Sequence, residues 1–235
     1  LRRRGYESFL KEARKMAKLD QVPSIVRVRD TFLENETAYI VMDYAEGVTL
    51  KEKLLKNGTM TFSECVQLFS PMIEDLAKVH KQGMIHRDIS PDNIMVQPDG
   101  SVRLLDLGAA KDTTAAQGPE SQLVTKKGFS PLEQYMDAGK IGPWTDVYGF
   151  GALLHFLLTG DCPAEKIFFF REIRLCPKSG RQWSVGERVF RRGQLRIMNQ
   201  LVLKCTAREP EKRRTSWRRI SRMLYVASKD ASRRR

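Results

Sequence analysis

The stretch His86-Arg87-Asp88-Ile89-Ser90-Pro91-Asp92-Asn93-Ile94 decides the fold of this 235-residue chain. It follows residues 61–82, whose apolar positions recur at three- and four-residue spacing and predict a helix. It precedes a predicted hairpin over 94–105, which turns at Pro98-Asp99-Gly100. We therefore expect a polar loop that two rigid elements hold in place, which is a common setting for catalytic side chains.

Three side chains in and after this stretch match the needs of phosphoryl transfer. Asp106, at the end of the hairpin, follows Asp88 by eighteen residues. In that reaction one carboxylate, here Asp88, orients a hydroxyl nucleophile. An amide oxygen and a second carboxylate, here Asn93 and Asp106, bind Mg²⁺, which neutralises charge on a triphosphate. A polar turn with incidental aspartates is the alternative interpretation.

With these motifs the chain resembles the protein kinase family, and most closely the eukaryotic-like Ser/Thr kinases of bacteria. The resemblance runs from about residue 6 to 225 and is carried by HRDISPDNI (86–94), DLG (106–108), SPLEQY (130–135), DVYGFG (146–151) and REPEKRRT (208–215). It implies an α+β fold with a mainly helical C-lobe and a truncated N-lobe, made of the family's αC helix and one hairpin. We expect this partial N-lobe over 1–45, the C-lobe over 46–228 and a basic tail over 229–235.

The resemblance also implies a nucleotide site for ATP with Mg²⁺. Met42 takes the gatekeeper position. The segment Asp43–Ala45 is then the hinge, which hydrogen-bonds the adenine through its backbone. Met95 would lie beneath the adenine ring.

Further positions take structural or regulatory roles by the same resemblance. Glu12 is the αC glutamate, and a regulatory spine would consist of Met16, His86 and Leu107. Asp146 would hold the catalytic loop from below. Arg213 would pair with Glu133, and Arg87 with a phosphate on Thr113, Thr114, Ser121 or Thr125.

One departure from the family concerns the N-lobe. The family places a glycine-rich loop and a lysine before αC, and residues 1–6, the stretch before the expected αC, contain neither. Gly149-Phe150-Gly151 lies in a helical, apolar pattern, where we expect it to serve close helix packing. We expect the natural protein to carry roughly 30–50 more N-terminal residues, enough for three strands. Without them, the strand Ala38–Tyr44 would be an exposed edge that recruits a partner strand.

A second departure concerns the cation beside the catalytic aspartate. Ser90 stands where Ser/Thr kinases usually carry a lysine, and Lys126 stands where they carry a threonine. We hypothesise that Lys126 supplies the missing cation near Asp88, with Ser90 as its hydroxyl partner. The alternative is a solvated Lys126 and a weaker site.

Charge and composition limit the remaining function classes. The net charge is +13, and residues 204–235 hold 12 Lys/Arg against 3 Asp/Glu. This segment is basic and amphipathic through Trp217, Ile220, Leu224 and Val226, but the resemblance makes it the last C-lobe helix with a solvated basic face, so we expect no specific nucleic acid. The four cysteines have no metal-site or disulfide spacing, which favours reduced thiols in a cytosolic protein. No apolar stretch of the sequence is long enough to span a bilayer.

Three functions stay open on the sequence. The leading one is ATP-dependent phosphorylation of Ser/Thr in a protein substrate. The second is a pseudokinase or interaction module without catalysis. The third, a small-molecule kinase of the aminoglycoside type, is disfavoured by Arg87, the Glu133/Arg213 pair and the long segment between Asp106 and Glu133.

Overall fold

The computed structural model describes residues 16–35, 37–105, 111–112, 126–136, 141–161, 192–213 and 216–232. Glu12, Asp106, Leu107 and the four candidate phosphate acceptors lie outside the described residues. The described part combines small antiparallel sheets with six α-helices, so the predicted α+β fold is confirmed. Most of the predicted αC helix also lies outside it, and Ala17–Leu19 form a 3-10 turn.

A hairpin opens the described chain. Strands β1 (Val28–Glu34) and β2 (Thr37–Met42) pair antiparallel, and Asn35 adopts a positive φ of 48° at the turn. The sequence predicted one hairpin in this part of the chain, and the structure confirms it. Both strands expose large apolar side chains, such as Phe32 and Tyr39, whose rings stack with centroids 5.1 Å apart.

Two further sheets hold the ends of the central loop. The predicted hairpin of β5 (Ile94–Val96) and β6 (Val102–Leu104) is confirmed, and β3 (Val48–Thr49) adds a third strand that the sequence did not reveal. Strand β4 (Met84–Ile85) pairs with β7 (Lys111–Asp112). Two-residue strands are too short to leave a periodic pattern in a sequence.

Six helices make up the rest of the described chain: α1 (Leu50–Asn57), α2 (Phe62–Lys81), α3 (Glu133–Met136), α4 (Pro143–Thr159), α5 (Arg192–Cys205) and α6 (Trp217–Ser232). Helix α2 begins at a capping box, in which Thr61 and Glu64 each bond the other's backbone N–H. Helix α4 ends at Gly160, whose φ of 76° suits glycine. No described helix is both long and apolar enough to cross a bilayer.

Helix α4 lies in the core, since thirteen of its seventeen residues are buried. A Cβ on Gly151 would come within 2.4 Å of the Cys205 Cβ, so glycine permits α4 and α5 to pack closely. Helix α6 covers the core with Trp217, Ile220, Leu224 and Ala227. Val226 is exposed, contrary to the sequence analysis, because the buried face of α6 follows a three- and four-residue spacing that reaches Ala227 instead.

Candidate active site

The motif of residues 86–93 forms the loop that joins β4 to β5, so a strand holds each end of it. His86 is fully buried, and its Nε2 lies 3.0 Å from the carbonyl oxygen of Leu105, the residue that follows β6. Arg87 has a φ of 72°, a left-handed conformation that is costly for a side chain with a Cβ. Such a conformation persists only when surrounding contacts determine it.

Asp146 of α4 supplies those contacts. Its Oδ2 accepts the backbone N–H of His86 at 2.8 Å, and its Oδ1 accepts that of Arg87 at 2.7 Å. The Nε2 of His80 lies 2.7 Å from the same Oδ2. Burial alone would raise the pKa of Asp146, but the hydrogen bonds from His80 and Arg87 and the nearby His86 outweigh it, so the pKa lies below its ordinary value.

Asp88 and Asn93 face each other across the loop. The carboxamide nitrogen of Asn93 donates to Asp88 Oδ2 at 2.7 Å and to the Asp88 carbonyl oxygen at 3.1 Å. Asp88 Oδ1 is buried and has no hydrogen-bond partner among the described residues. Asn93 Oδ1 is the carboxamide atom that can bind a cation, because Nδ2 is a hydrogen-bond donor only. Leu105, which precedes Asp106, donates its backbone N–H to the Asn93 carbonyl oxygen at 2.8 Å.

Lys126 contacts the same loop at Ser90 and Asp92. Its Nζ donates to Ser90 Oγ at 3.0 Å and forms an ion pair with Asp92 Oδ2. Lys51, from α1, approaches the other oxygen of Asp92 at 2.8 Å. Partial burial of Asp92 would raise the pKa of this carboxyl, but the hydrogen bonds from Lys126 and Lys51 outweigh that effect and lower it. The structure thus brings Lys126 and Ser90 together, and it adds a cluster that the sequence analysis did not foresee.

Glu133 and Arg213 form a buried ion pair behind the loop. Arg213 donates to both carboxylate oxygens of Glu133, at 2.8 and 2.6 Å. Arg213 is 0% exposed and Glu133 is 5% exposed. Thr145 donates its hydroxyl to the same carboxylate at 3.1 Å. The neighbouring Gln134 donates to the Arg87 carbonyl oxygen at 2.9 Å, so α3 contacts the loop of residues 86–93 directly.

The residues expected around the nucleotide lie at the end of the β1–β2 hairpin and on β5. Met42 is exposed and ends β2, and Met95 is half-buried on β5. Asp43 donates its backbone N–H to the Arg27 carbonyl oxygen and pairs with Arg29 through its side chain. The backbone N–H of Asp43 is therefore already hydrogen-bonded within the chain. Met16 is buried in the same core as the C-lobe helices.

Comparison with known proteins matches residues 2–226 to the protein kinase domain family. This chain belongs to the protein kinase family. It is 36% identical over 165 residues to the serine/threonine-protein kinase PknL of Mycobacterium tuberculosis, covering 68% of this chain and 41% of PknL. It is 30% identical over 210 residues to the serine/threonine-protein kinase PrkC of Bacillus subtilis, covering 86% of this chain and 31% of PrkC. It is 31% identical over 220 residues to the serine/threonine-protein kinase PknB of Mycobacterium leprae, covering 88% of this chain and 34% of PknB. The match therefore spans less than half the length of each of these relatives.

The membership agrees with the predicted kinase resemblance, whereas several contacts within the domain were missed. The sequence patterns did not indicate a role for Lys51, Asp92 or His80, and they placed Trp217 only on the apolar side of the last helix. Asp92 lies inside the central motif, which was a usable signal. The partners of the other three come from distant parts of the chain, and no local pattern indicates such pairs.

Proposed function

We propose that this kinase domain transfers the γ-phosphate of ATP to Ser or Thr hydroxyls of a protein substrate. The observation that carries the proposal is the Asp88–Asn93 hydrogen bond of 2.7 Å on a loop whose backbone is fixed by Asp146. The family match and the names of the Ser/Thr-kinase relatives support the same reaction.

Asp88 has the geometry to orient the attacking hydroxyl. Its Oδ2 accepts from Asn93, whereas its Oδ1 has no hydrogen-bond partner among the described residues, so we assign the substrate O–H to this carboxylate. We assign Asn93 Oδ1 and Asp106 to Mg²⁺, which would neutralise charge on the ATP phosphates. In such a reaction positioning and electrostatic stabilisation supply most of the rate enhancement.

Lys126 completes the proposed site as its cation. The ammonium group is tethered by Ser90 and Asp92 close to the catalytic loop, and an ammonium near a transferred phosphoryl group stabilises its negative charge. Lys51 takes the other oxygen of Asp92, which limits how strongly this carboxylate neutralises Lys126. In this proposal Met42, the segment 43–45 and Met95 surround the adenine.

The reaction product tests the proposed function. The chain, with any further N-terminal residues of its natural protein, is incubated with Mg²⁺ and ATP and a panel of unstructured Ser- and Thr-containing proteins. Mass spectrometry should find phosphoserine or phosphothreonine on a protein substrate. Phosphate on a small-molecule alcohol alone, or on no acceptor at all, would contradict the proposal.

The role of Lys126 has its own test. Lys126→Ala should lower kcat by about 10- to 100-fold, because an electrostatic contact to the transferred group is lost. Lys56→Ala, which removes an exposed lysine of α1 outside the cluster, should leave kcat within twofold. A loss below twofold for Lys126→Ala in a folded protein would refute the assigned role.

A binding module without catalysis is the second candidate, and the hairpin favours it. Phe32, Leu33, Tyr39, Met42 and Tyr44 are all large, apolar and exposed. Exposed apolar side chains on an edge hairpin suit the addition of a further strand. This candidate predicts that Asp88→Asn leaves all function intact, whereas charged substitutions on the hairpin abolish it.

A further inference from the structure

A line of hydrogen bonds connects the last described helix to the catalytic loop. The indole Nε1–H of Trp217, the first residue of α6, donates to His80 Nδ1 at 2.8 Å. His80 Nε2 then lies 2.7 Å from Asp146 Oδ2. Asp146 in turn accepts the backbone N–H groups of His86 and Arg87. Two residues after His86 comes Asp88, the proposed catalytic residue.

The chemistry of the indole settles which His80 nitrogen carries the proton. An indole N–H donates hydrogen bonds and accepts none, so Nδ1 of His80 must be unprotonated to receive it. The proton of the neutral imidazole is then on Nε2, where it is donated to Asp146. Trp217 therefore selects the only neutral tautomer of His80 that places a donor, and not a lone pair, against the buried carboxylate.

We propose that Trp217 is a positioning residue, which holds the catalytic loop by fixing His80 as the Nε2–H tautomer. The importance of the loop for phosphoryl transfer rests on the proposed function, whereas the tautomer and the loop contacts do not. The relay, meaning the hydrogen-bonded residues His80, Asp146 and Trp217, joins α2, α4 and α6. Each of these helices must therefore be in place before the loop is fully held.

Packing around the relay makes the indole N–H hard to replace. Trp217 is 6% exposed, and its ring contacts His80 and Phe150 with centroids 5.5 and 5.8 Å apart. His80 and Trp217 also line a cavity of about 950 Å³. Charged or titratable groups on this cavity or beside Asp146 are Glu74, Lys78, Lys81, Arg213, Arg218 and His86.

The cavity explains how loss of the indole N–H would act. Without that donor, Nδ1 of His80 can carry the proton and donate it to water in the cavity. Nε2 would then direct a lone pair at Asp146 Oδ2, which is unfavourable in a buried site. Asp146 would lose one of its hydrogen bonds, and its hold on the His86 and Arg87 amides would weaken.

Nitrogen-15 NMR of the imidazole rings tests the proposal directly. The chain has three histidines, so His80→Gln assigns the His80 signals by their disappearance. We expect the Nε2–H tautomer in the wild-type protein at neutral pH. Trp217→Phe keeps an aromatic ring but removes the donor, and should shift the population towards Nδ1–H. Trp144→Phe removes the indole N–H of another tryptophan that lines the same cavity, and should leave the His80 signals unchanged.

Hydrogen exchange and kinetics report the consequence for the loop. In Trp217→Phe the amides of His86 and Arg87 should exchange at least about tenfold faster, and kcat should fall about 3- to 10-fold with KM for ATP within twofold. His80→Gln should keep the wild-type amide exchange and kcat, because its amide N–H can donate to Asp146 while its oxygen accepts from Trp217. His80→Leu can make neither hydrogen bond and should lose both wild-type properties.

Two results would overturn the proposal. One is a wild-type His80 in the Nδ1–H tautomer, which is decisive even where a variant fails to fold. The other is Trp217→Phe with wild-type His80 signals and wild-type amide exchange. Suppose that the NMR and exchange results agree with the proposal while neither the wild type nor any variant phosphorylates a substrate. In that case the positioning role of Trp217 is confirmed and the proposed function is wrong.

Discussion

Removal of Arg213 should destabilise this kinase domain more than any change of a surface charge. The guanidinium is fully buried and bonds both oxygens of Glu133, so Arg213→Ala leaves a buried carboxylate with Thr145 as its remaining described partner. Breaking a buried pair in this way costs about 3–5 kcal/mol. For a domain of this size that corresponds to a fall in Tm of about 6–20 °C.

The adjacent residue provides the matched control. Lys212 pairs with Glu209 at 3.3 Å, and both side chains are more than half exposed. Such a pair contributes about 0–1 kcal/mol, so Lys212→Ala should change stability little. Urea denaturation of the three proteins, followed by circular dichroism, gives the free energies of unfolding from midpoints and slopes.

A double variant separates the buried charge from the lost contact. Replacing both residues, as Glu133→Leu with Arg213→Met, removes the charge along with its partner, and should recover most of the stability lost in Arg213→Ala. If Arg213→Ala costs less than about 1 kcal/mol, as expected for the surface pair, the assignment of a structural ion pair behind the catalytic loop is refuted.

Two further predictions concern helix α4. Gly151→Ala should cost about 1–3 kcal/mol in urea denaturation, because its Cβ would overlap Cys205, and an Ala variant as stable as the wild type would contradict the close packing of α4 and α5. Asp146 has a lowered pKa in the folded state, so its stabilisation is present above its unfolded pKa of about 3.9 and is lost as pH falls through the folded value. The stability gap between wild type and Asp146→Asn, measured by urea denaturation at several pH values, should therefore narrow below about pH 4, and a gap that stays constant from pH 7 to pH 3 would contradict the charged role of Asp146.

Local patterns in the sequence predicted the elements whose causes are local. Thr61 and Glu64 identify the start of α2 because a capping box needs only those side chains at that spacing. The turn at 98–100 likewise gives the β5–β6 hairpin. The motif of residues 86–93 predicted both the loop and the protein kinase family, since its polar residues at that spacing are typical of phosphoryl transfer.

Contacts across long stretches of chain were beyond such reasoning. Trp217 and His80 are 137 residues apart, and each lies in a pattern that predicts only a buried helical position. Lys51 is one of several lysines of α1, and nothing in its neighbours distinguishes it as the partner of Asp92. The Lys126–Ser90 contact was anticipated only because both positions depart from the family pattern together, and its catalytic role stays a prediction.

The most direct measurement for the whole account compares Asp88→Asn with the wild type in two quantities, kcat for protein phosphorylation and the Kd for ATP with Mg²⁺. Asp99→Asn, at an exposed hairpin turn, is the control. We expect Asp88→Asn to lower kcat by about 100-fold or more and to leave the Kd for ATP within about threefold, because Asp88 acts on the hydroxyl and not on the nucleotide. Equal kcat values for Asp88→Asn and the wild type would contradict the claim that this loop is the active site.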